Sequence, residues 1–360
     1  MIALSFSAEL SLSCRPPALG DMPVGMENGP SDPLKPPVPT LMAVARMAGV
    51  SPITVSRVVR RPDIVSSGTR LRVEDAIRKL GYVPNMVAGS LASARTKSVG
   101  VLVPTIANSI FADTVQGLSD VLEPLGFSVI LAQSGYDHQR EERMLAALLS
   151  RRPEAIIMVG APVTAEGAEM LRRARIPVVE TWELPAAPVD AAVGFDNHDA
   201  GVVVGRHFAK AGRRRLAFVG GDDRRATQRW HGFVEAAREA GLTEPRRVLI
   251  EWQSGAGAGA ALLATAPDAD AVFAANDAYA IGLLSALRRA GRLDVEPGTV
   301  PPIAVVGLGD LEMGRLFSPT VSTIRIDGAA IGRAAAELAL DPTKPRRVDL
   351  GFELVLRESG

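Results

Sequence analysis

The stretch SPITVSRVV, Ser51 to Val59, sets a hydroxyl, a proline and an arginine at spacings with chemical consequences. Serine immediately before proline favours a helix start. The hydroxyl accepts from a backbone N–H that has no partner inside the helix, and proline at the first helical position gives up no hydrogen bond. Two residues earlier, Gly49 supplies the positive φ that a tight turn after a preceding helix requires. On the helix that begins there, Val55, Val58 and Val59 share a face, and Ile53, Ser56 and Arg57 point the other way. An outward arginine in this place can donate two parallel hydrogen bonds to guanine in a major groove, worth about 1–3 kcal/mol of discrimination. Helix, glycine-centred turn, helix is the helix-turn-helix arrangement; a plain helical hairpin fits these residues too.

Catalytic spacings are absent. There is no G-x-S-x-G, and His138, His198, His207 and His231 do not fall at metal-binding intervals. GAGAG, Gly255 to Gly259, follows a strand-like run but lacks the G-x-G-x-x-G spacing of a dinucleotide loop. Cys14 is the single cysteine, so neither an intramolecular disulfide nor a cysteine-built metal site can form. We expect no enzyme activity, no metal and no cofactor.

The elements that would hold these residues differ along the chain. Residues 1–39 are rich in Pro and Gly with no sustained apolar period, and we expect them to be disordered. From Thr40 to Tyr82 the apolar positions follow helical spacing and predict three short helices. Beyond Lys97 come VGVLVP, SVILAQ, AIIMVG, PVVET, RLAFVGG, AVFAAN and IAVVGLG, separated by amphipathic stretches. Apolar runs without polar alternation are what a parallel sheet covered on both faces requires. The expected fold class is α/β: an all-α helix-turn-helix domain, then two doubly wound subdomains with a ligand cleft at the carboxyl ends of their strands.

Charge follows the same division. Between Thr40 and Lys97 ten Lys/Arg face Asp63, Glu74 and Asp75, so this segment carries +7 within a chain of net charge zero. A basic module on an acidic body suits phosphate contact, although a solvated basic helix face also fits the charge alone. No apolar run approaches the roughly 20 residues of a membrane helix, and the first residues lack a basic leader region. We expect a cytoplasmic protein with no membrane partner.

TLMAVARMAGVS-ITVSRVV, then VS--TR--V--AI--LGY-PN--A--L, then SVGVLVPTIAN--FA, together resemble the lactose repressor family, and the resemblance runs from Thr40 to Gly360. It implies a helix-turn-helix domain over 40–84, a hinge helix and linker over 85–97, and a periplasmic-binding-protein-like core over 98–360. Within the core, subdomain 1 is expected at about 98–194 and 320–340, and subdomain 2 at about 195–319 and 341–360. It further implies DNA contacts at Ser51, Pro52, Ile53, Thr54, Ser56, Arg57, Tyr82 and Asn85, with Leu91 wedged into the minor groove and Ala88 and Ala92 allowing close approach. Two departures matter. Ala43 stands where the family has an Asp that completes a capping box, which predicts a weaker cap. Pro52 and Ile53 stand where family members read bases with polar groups, leaving base reading to Arg57, apolar contact and DNA shape.

In the core the resemblance implies effector contacts at Asn108, Phe111, Trp182, Asp196, Asn197, Arg229, Asn276 and Asp277, with the Arg229 guanidinium suited to clamp a carboxylate or paired hydroxyls. Arg224 and Arg225 could add positive potential, or be ordinary exposed loop arginines. QSGYDHQREERMLAALLSRRPEAII, IPVVETWELPAAPVDAAVGFDN, FAANDAYAIG and DLGFEL look like the gluconate-utilisation repressors within the family. Gly309 replaces an Asp usual among sugar-binding relatives, which removes an acid beside a bound acid. The implied function is a transcriptional repressor of a pseudo-palindromic double-stranded DNA operator, induced by gluconate or a related sugar acid. A neutral sugar, a corepressor, or a ligand-binding protein without DNA function are the alternatives. No leucine-heptad segment follows VDLGFELVL, so the expected assembly is a homodimer.

Overall fold

The computed structural model describes residues 39–83, 96–106, 109–250, 255–293 and 303–360. The chain divides into two units, Met1–Asn85 and Met86–Gly360.

Three helices build the first unit: α1 (Leu41–Ala48), α2 (Pro52–Arg60) and α3 (Ser67–Leu80). Val44, Ala45 and Ala48 of α1, Val55 and Val58 of α2, and Val73 and Ala76 of α3 form one buried cluster. Thr40 caps α1 by accepting from the Ala43 N–H at 3.2 Å. With alanine at position 43 only this half of the capping box forms. Gly49 closes α1 at φ 65° in the left-handed region, and Ser51 begins α2 by accepting from the Thr54 N–H. A single 3₁₀ turn, Pro62–Ile64, leads toward α3.

The second unit is a two-lobed α/β body. In chain order its elements are β1 (Ser98–Val103), α4 (Ala112–Leu122), β2 (Ser128–Gln133), α5 (His138–Leu149), β3 (Ala155–Val159), α6 (Ala165–Ala174), β4 (Val178–Thr181) and β5 (Ala191–Gly194). Then follow α7 (Asn197–Lys210), β6 (Leu216–Gly220), α8 (Arg224–Glu239), β7 (Arg246–Leu249), α9 (Ala256–Thr265), β8 (Ala271–Ala274), α10 (Asp277–Arg289) and β9 (Ala304–Leu308). The last are α11 (Glu312–Leu316), β10 (Ser322–Arg325), α12 (Gly328–Leu340), β11 (Arg347–Asp349) and β12 (Glu353–Val355).

Sheet one has the order β11-β5-β4-β3-β1-β2, all parallel. Sheet two runs β12-β10-β9-β8-β6-β7, parallel except where β12 lies antiparallel to β10. Central strands β1, β4, β5, β6, β8 and β9 are buried at every position, as largely apolar runs require, with Glu180 and Thr181 of β4 buried among them.

The chain crosses between lobes three times, and two of the expected boundaries move. Strand β10 belongs to sheet two, paired with β9 through Ser322 to Ile324, so the return to lobe one comes after Arg325 and not at residue 320. Strand β11 belongs to sheet one, paired with β5, so the last crossing follows Asp349 and not residue 340. Physically, Arg-Val-Asp has no apolar run to announce a strand, and α12 fills lobe one between the two crossings.

Candidate nucleic-acid interface and ligand cleft

On the helical unit, α2 turns Val55 and Val58 into the core and leaves Ile53 65% exposed, with Arg57 also exposed. Pro52, Thr54 and Ser56 are partly exposed beside them, and Ser51 and Thr54 share a hydroxyl contact of 2.9 Å. The acids of α3 are engaged: Asp75 pairs with Lys79 at 2.8 Å and lies 3.8 Å from Arg78, and Glu74 is 3.7 Å from Arg70. No ion pair among the described residues engages Arg46, Arg57, Arg60 or Arg61, so their charge is available to an external anion. Tyr82 packs its ring against the helical core. Asn85, Ala88, Leu91 and Ala92 lie outside the described residues.

In the body, a cavity of about 570 Å³ opens between the lobes. Lobe one contributes Pro104, Ser134, Tyr136, His138, Glu141, the stretch Val159 to Val163, and Glu183; lobe two contributes Asp222 to Arg225, Thr227, Gln228 and His231. The start of α8 dominates the lobe-two wall. Asp223 caps it, accepting from the N–H groups of Arg225 and Ala226. That cap draws the chain into helix at once and turns Arg225 inward, where it is 9% exposed. Its guanidinium sits 5.7 Å from the centre of the Phe111 ring and 3.8 Å from the Asp223 carboxylate. No acceptor among the described residues hydrogen-bonds it.

Behind this wall a chain of contacts crosses from lobe to lobe. The Phe111 and Trp182 rings meet edge to face at 5.2 Å, and the Trp182 indole N–H donates to Thr114 Oγ1 at 3.0 Å. Trp182 takes φ 69°, and its carbonyl accepts from Asn197 Nδ2 at 2.9 Å. The Asn197 oxygen accepts from Arg229 Nη1. Arg229 is buried, with its Nε lacking any acceptor among the described residues. Burial lowers its pKa to about 10, which leaves it charged at neutral pH.

The description "Bacterial regulatory proteins, lacI family" matches residues 40–85, and "Periplasmic binding protein-like domain" matches residues 206–360. The HTH-type transcriptional regulator GntR of Pseudomonas aeruginosa is 39% identical over 333 residues, covering 89% of this chain and 95% of that protein. GntR of Escherichia coli K12 is 31% identical, covering 88% and 97%. The crystal structure of a LacI-family transcriptional regulator from Silicibacter pomeroyi superposes with a TM-score of 0.80 at 33% identity, covering 89% of this chain and 98% of that one.

The chain belongs to the LacI family of bacterial regulatory proteins. As a LacI-family protein it is a DNA-binding transcriptional regulator and not an enzyme. Regulators of this family bind operator DNA and small sugar effectors and act as dimers. No helix among the described residues is long and apolar enough to cross a membrane.

Of the effector candidates, Phe111, Trp182, Asn197 and Arg229 are brought together, but as the layer behind the cavity wall. Asp196 caps α7, accepting from His198 and Asp199 N–H, and Asn276 caps α10, accepting from Tyr279 N–H. Asp277 is a buried brace within lobe two: its carboxylate accepts from Thr323 Oγ1 and from the Leu311 N–H, each at 2.7 Å, and burial pushes its pKa up to about 6. Asn108 lies outside the described residues. Sequence reading missed Tyr136, Glu183 and the inward turn of Arg225. The available signal was spacing, since Arg225 and Arg229 are four apart and share one face of a helix.

Proposed function

We propose that this LacI-family regulator is a cytoplasmic repressor whose operator is released when gluconate or a related sugar acid enters the cleft between the lobes. Arg225 carries the reading. A guanidinium turned into a closed wall, with no hydrogen-bond acceptor of its own among the described residues, answers a ligand carboxylate with charge-assisted bonds. Arg229, one turn along α8, adds positive potential behind it. Glu141, Glu183, Asp222 and Asp223 provide acceptors for the hydroxyls of the same molecule. Those four acids alone would favour a neutral sugar, and Arg225 is the group that such a sugar leaves without a charge-assisted hydrogen bond.

On the DNA side, Arg57 and Ile53 meet the major groove, Leu91 with Ala88 and Ala92 enters the minor groove, and a dimer presents two such modules to a pseudo-palindromic operator. The effector acts by biasing the lobes toward one closure state, and a coupling of about 1–3 kcal/mol gives a five- to 150-fold change in operator affinity. A thermal-shift comparison tests the ligand. D-gluconate is expected to raise the melting temperature, with about 2.7 kcal/mol of stabilisation at a hundredfold excess over Kd, and D-glucose to leave it unchanged. The opposite ranking would make the effector a neutral sugar.

A further inference from the structure

We propose that Glu183 makes the cleft selective for sugar acids with one carboxylate over those with a carboxylate at each end. The inference rests on the reading of the effector as a sugar acid and adds to it which acids are admitted. Glu183 lies in the segment that follows β4, on the lobe-one wall of the cavity, and is 2% exposed. One of its oxygens, Oε1, accepts from the Ala161 N–H. The other, Oε2, is buried with no hydrogen-bond donor among the described residues. Its ion-pair neighbour is Arg224, with Nε 3.6 Å away and a side chain more than half exposed.

A buried acceptor left without a donor is costly, and a ligand hydroxyl that reaches it removes that cost. A second carboxylate in the same place meets like charge, which the half-exposed Arg224 at 3.6 Å offsets only in part. Arg224 is the part of this wall that moves most readily, because exposed side chains change rotamer within nanoseconds.

The opposite pole is Arg225, and both poles face one empty position. A Cβ on Gly160 would lie 3.1 Å from Arg225 Nη1 and 3.6 Å from Glu183 Oε1. Gly160 has φ 88°, a conformation glycine holds without strain, so the backbone turns there and leaves the space between the poles open. The cleft therefore offers a cation for one carboxylate and, close by, a Glu183 carboxylate whose Oε1 borders that space and whose Oε2 has no hydrogen-bond donor among the described residues. An aldonic acid satisfies both poles. An aldaric acid satisfies Arg225 and is repelled at Glu183, and a neutral sugar leaves Arg225 with no charged partner beyond Asp223 at 3.8 Å.

The test is calorimetric titration of the full-length protein and of Glu183→Gln with D-gluconate and D-glucarate at fixed salt. The amide keeps the oxygen that accepts from Ala161 and removes the charge. The wild type is expected to favour gluconate by at least about tenfold, and Glu183→Gln to narrow that ratio by a similar factor, chiefly by gaining glucarate. Equal binding of the two acids by the wild type overturns the proposal without any variant. A folded Glu183→Gln protein, checked by its melting curve, with an unchanged ratio overturns it too. If the wild type binds neither acid, the sugar-acid reading itself falls and this inference with it.

Discussion

Arg225 and Arg229 stand one turn apart on α8 and do different work. Arg225 lines the cavity with no hydrogen-bond acceptor among the described residues, whereas Arg229 is tied to Asn197, whose amide bonds Trp182 across the lobes. Arg225→Ala should weaken gluconate binding about ten- to hundredfold, since a bond to a charged group is worth about 1.5–3 kcal/mol, with little change in melting temperature. Arg229→Ala should lower stability by roughly 2–4 kcal/mol by emptying a buried, bridged site, measured by denaturant unfolding. The resemblance pointed to Arg229, but Arg225 read as an exposed loop arginine, because Asp222 and Asp223 are both good caps and the sequence does not say which one starts the helix. A third residue carries a pH effect. Glu180 is buried in β4, accepts from the Val189 N–H and leaves its other oxygen without a donor among the described residues. Desolvation pushes its pKa from 4.5 up to about 7. The folded state therefore holds the proton more tightly than the unfolded chain, so this contribution to stability is complete below pH 4.5 and is lost as pH rises through 7. Melting curves should show Glu180→Gln flattening the decline between pH 5 and 8; an unchanged slope would assign the decline elsewhere.

Helix α8 is placed by backbone contact with α7. A Cβ on Gly201 would come 2.0 Å from the Arg229 carbonyl oxygen, and one on Gly232 would come 2.0 Å from that of His198. Only glycine permits the two helices to lie so close, and their closeness fixes how far Arg225 reaches into the cleft. Gly232→Ala should separate them, lowering stability by about 1–3 kcal/mol and weakening gluconate binding with it, as thermal melts and calorimetry would show. Full stability would mean that the helices give way without cost. Neither glycine stands out in sequence, since close approach is a property of two elements at once. Buried strands were legible for the opposite reason, each being a continuous apolar run. VDLGFELVL reads as one strand, and the structure divides it between Arg347–Asp349 in sheet one and Glu353–Val355 in sheet two, a split that its sequence does not mark. That is why the last lobe boundary moved.

Over the whole molecule, charge is divided between a basic DNA-binding module and an acidic body. The module's arginines should make operator affinity fall with salt on a log–log slope of about −0.9 per phosphate contacted, and a flat response would exclude them from the backbone contact. The two-part architecture was legible from texture alone, and the DNA contacts are what the resemblance implies. The cleft's working wall was not legible, because its groups come from loops far apart in sequence that meet only when the lobes form. Fluorescence anisotropy of labelled DNA from upstream of this protein's own gene, at fixed salt with competitor DNA, tests the central claim most directly. Tight specific binding that millimolar D-gluconate releases is the expected result. Specific binding that gluconate leaves unmoved would contradict it.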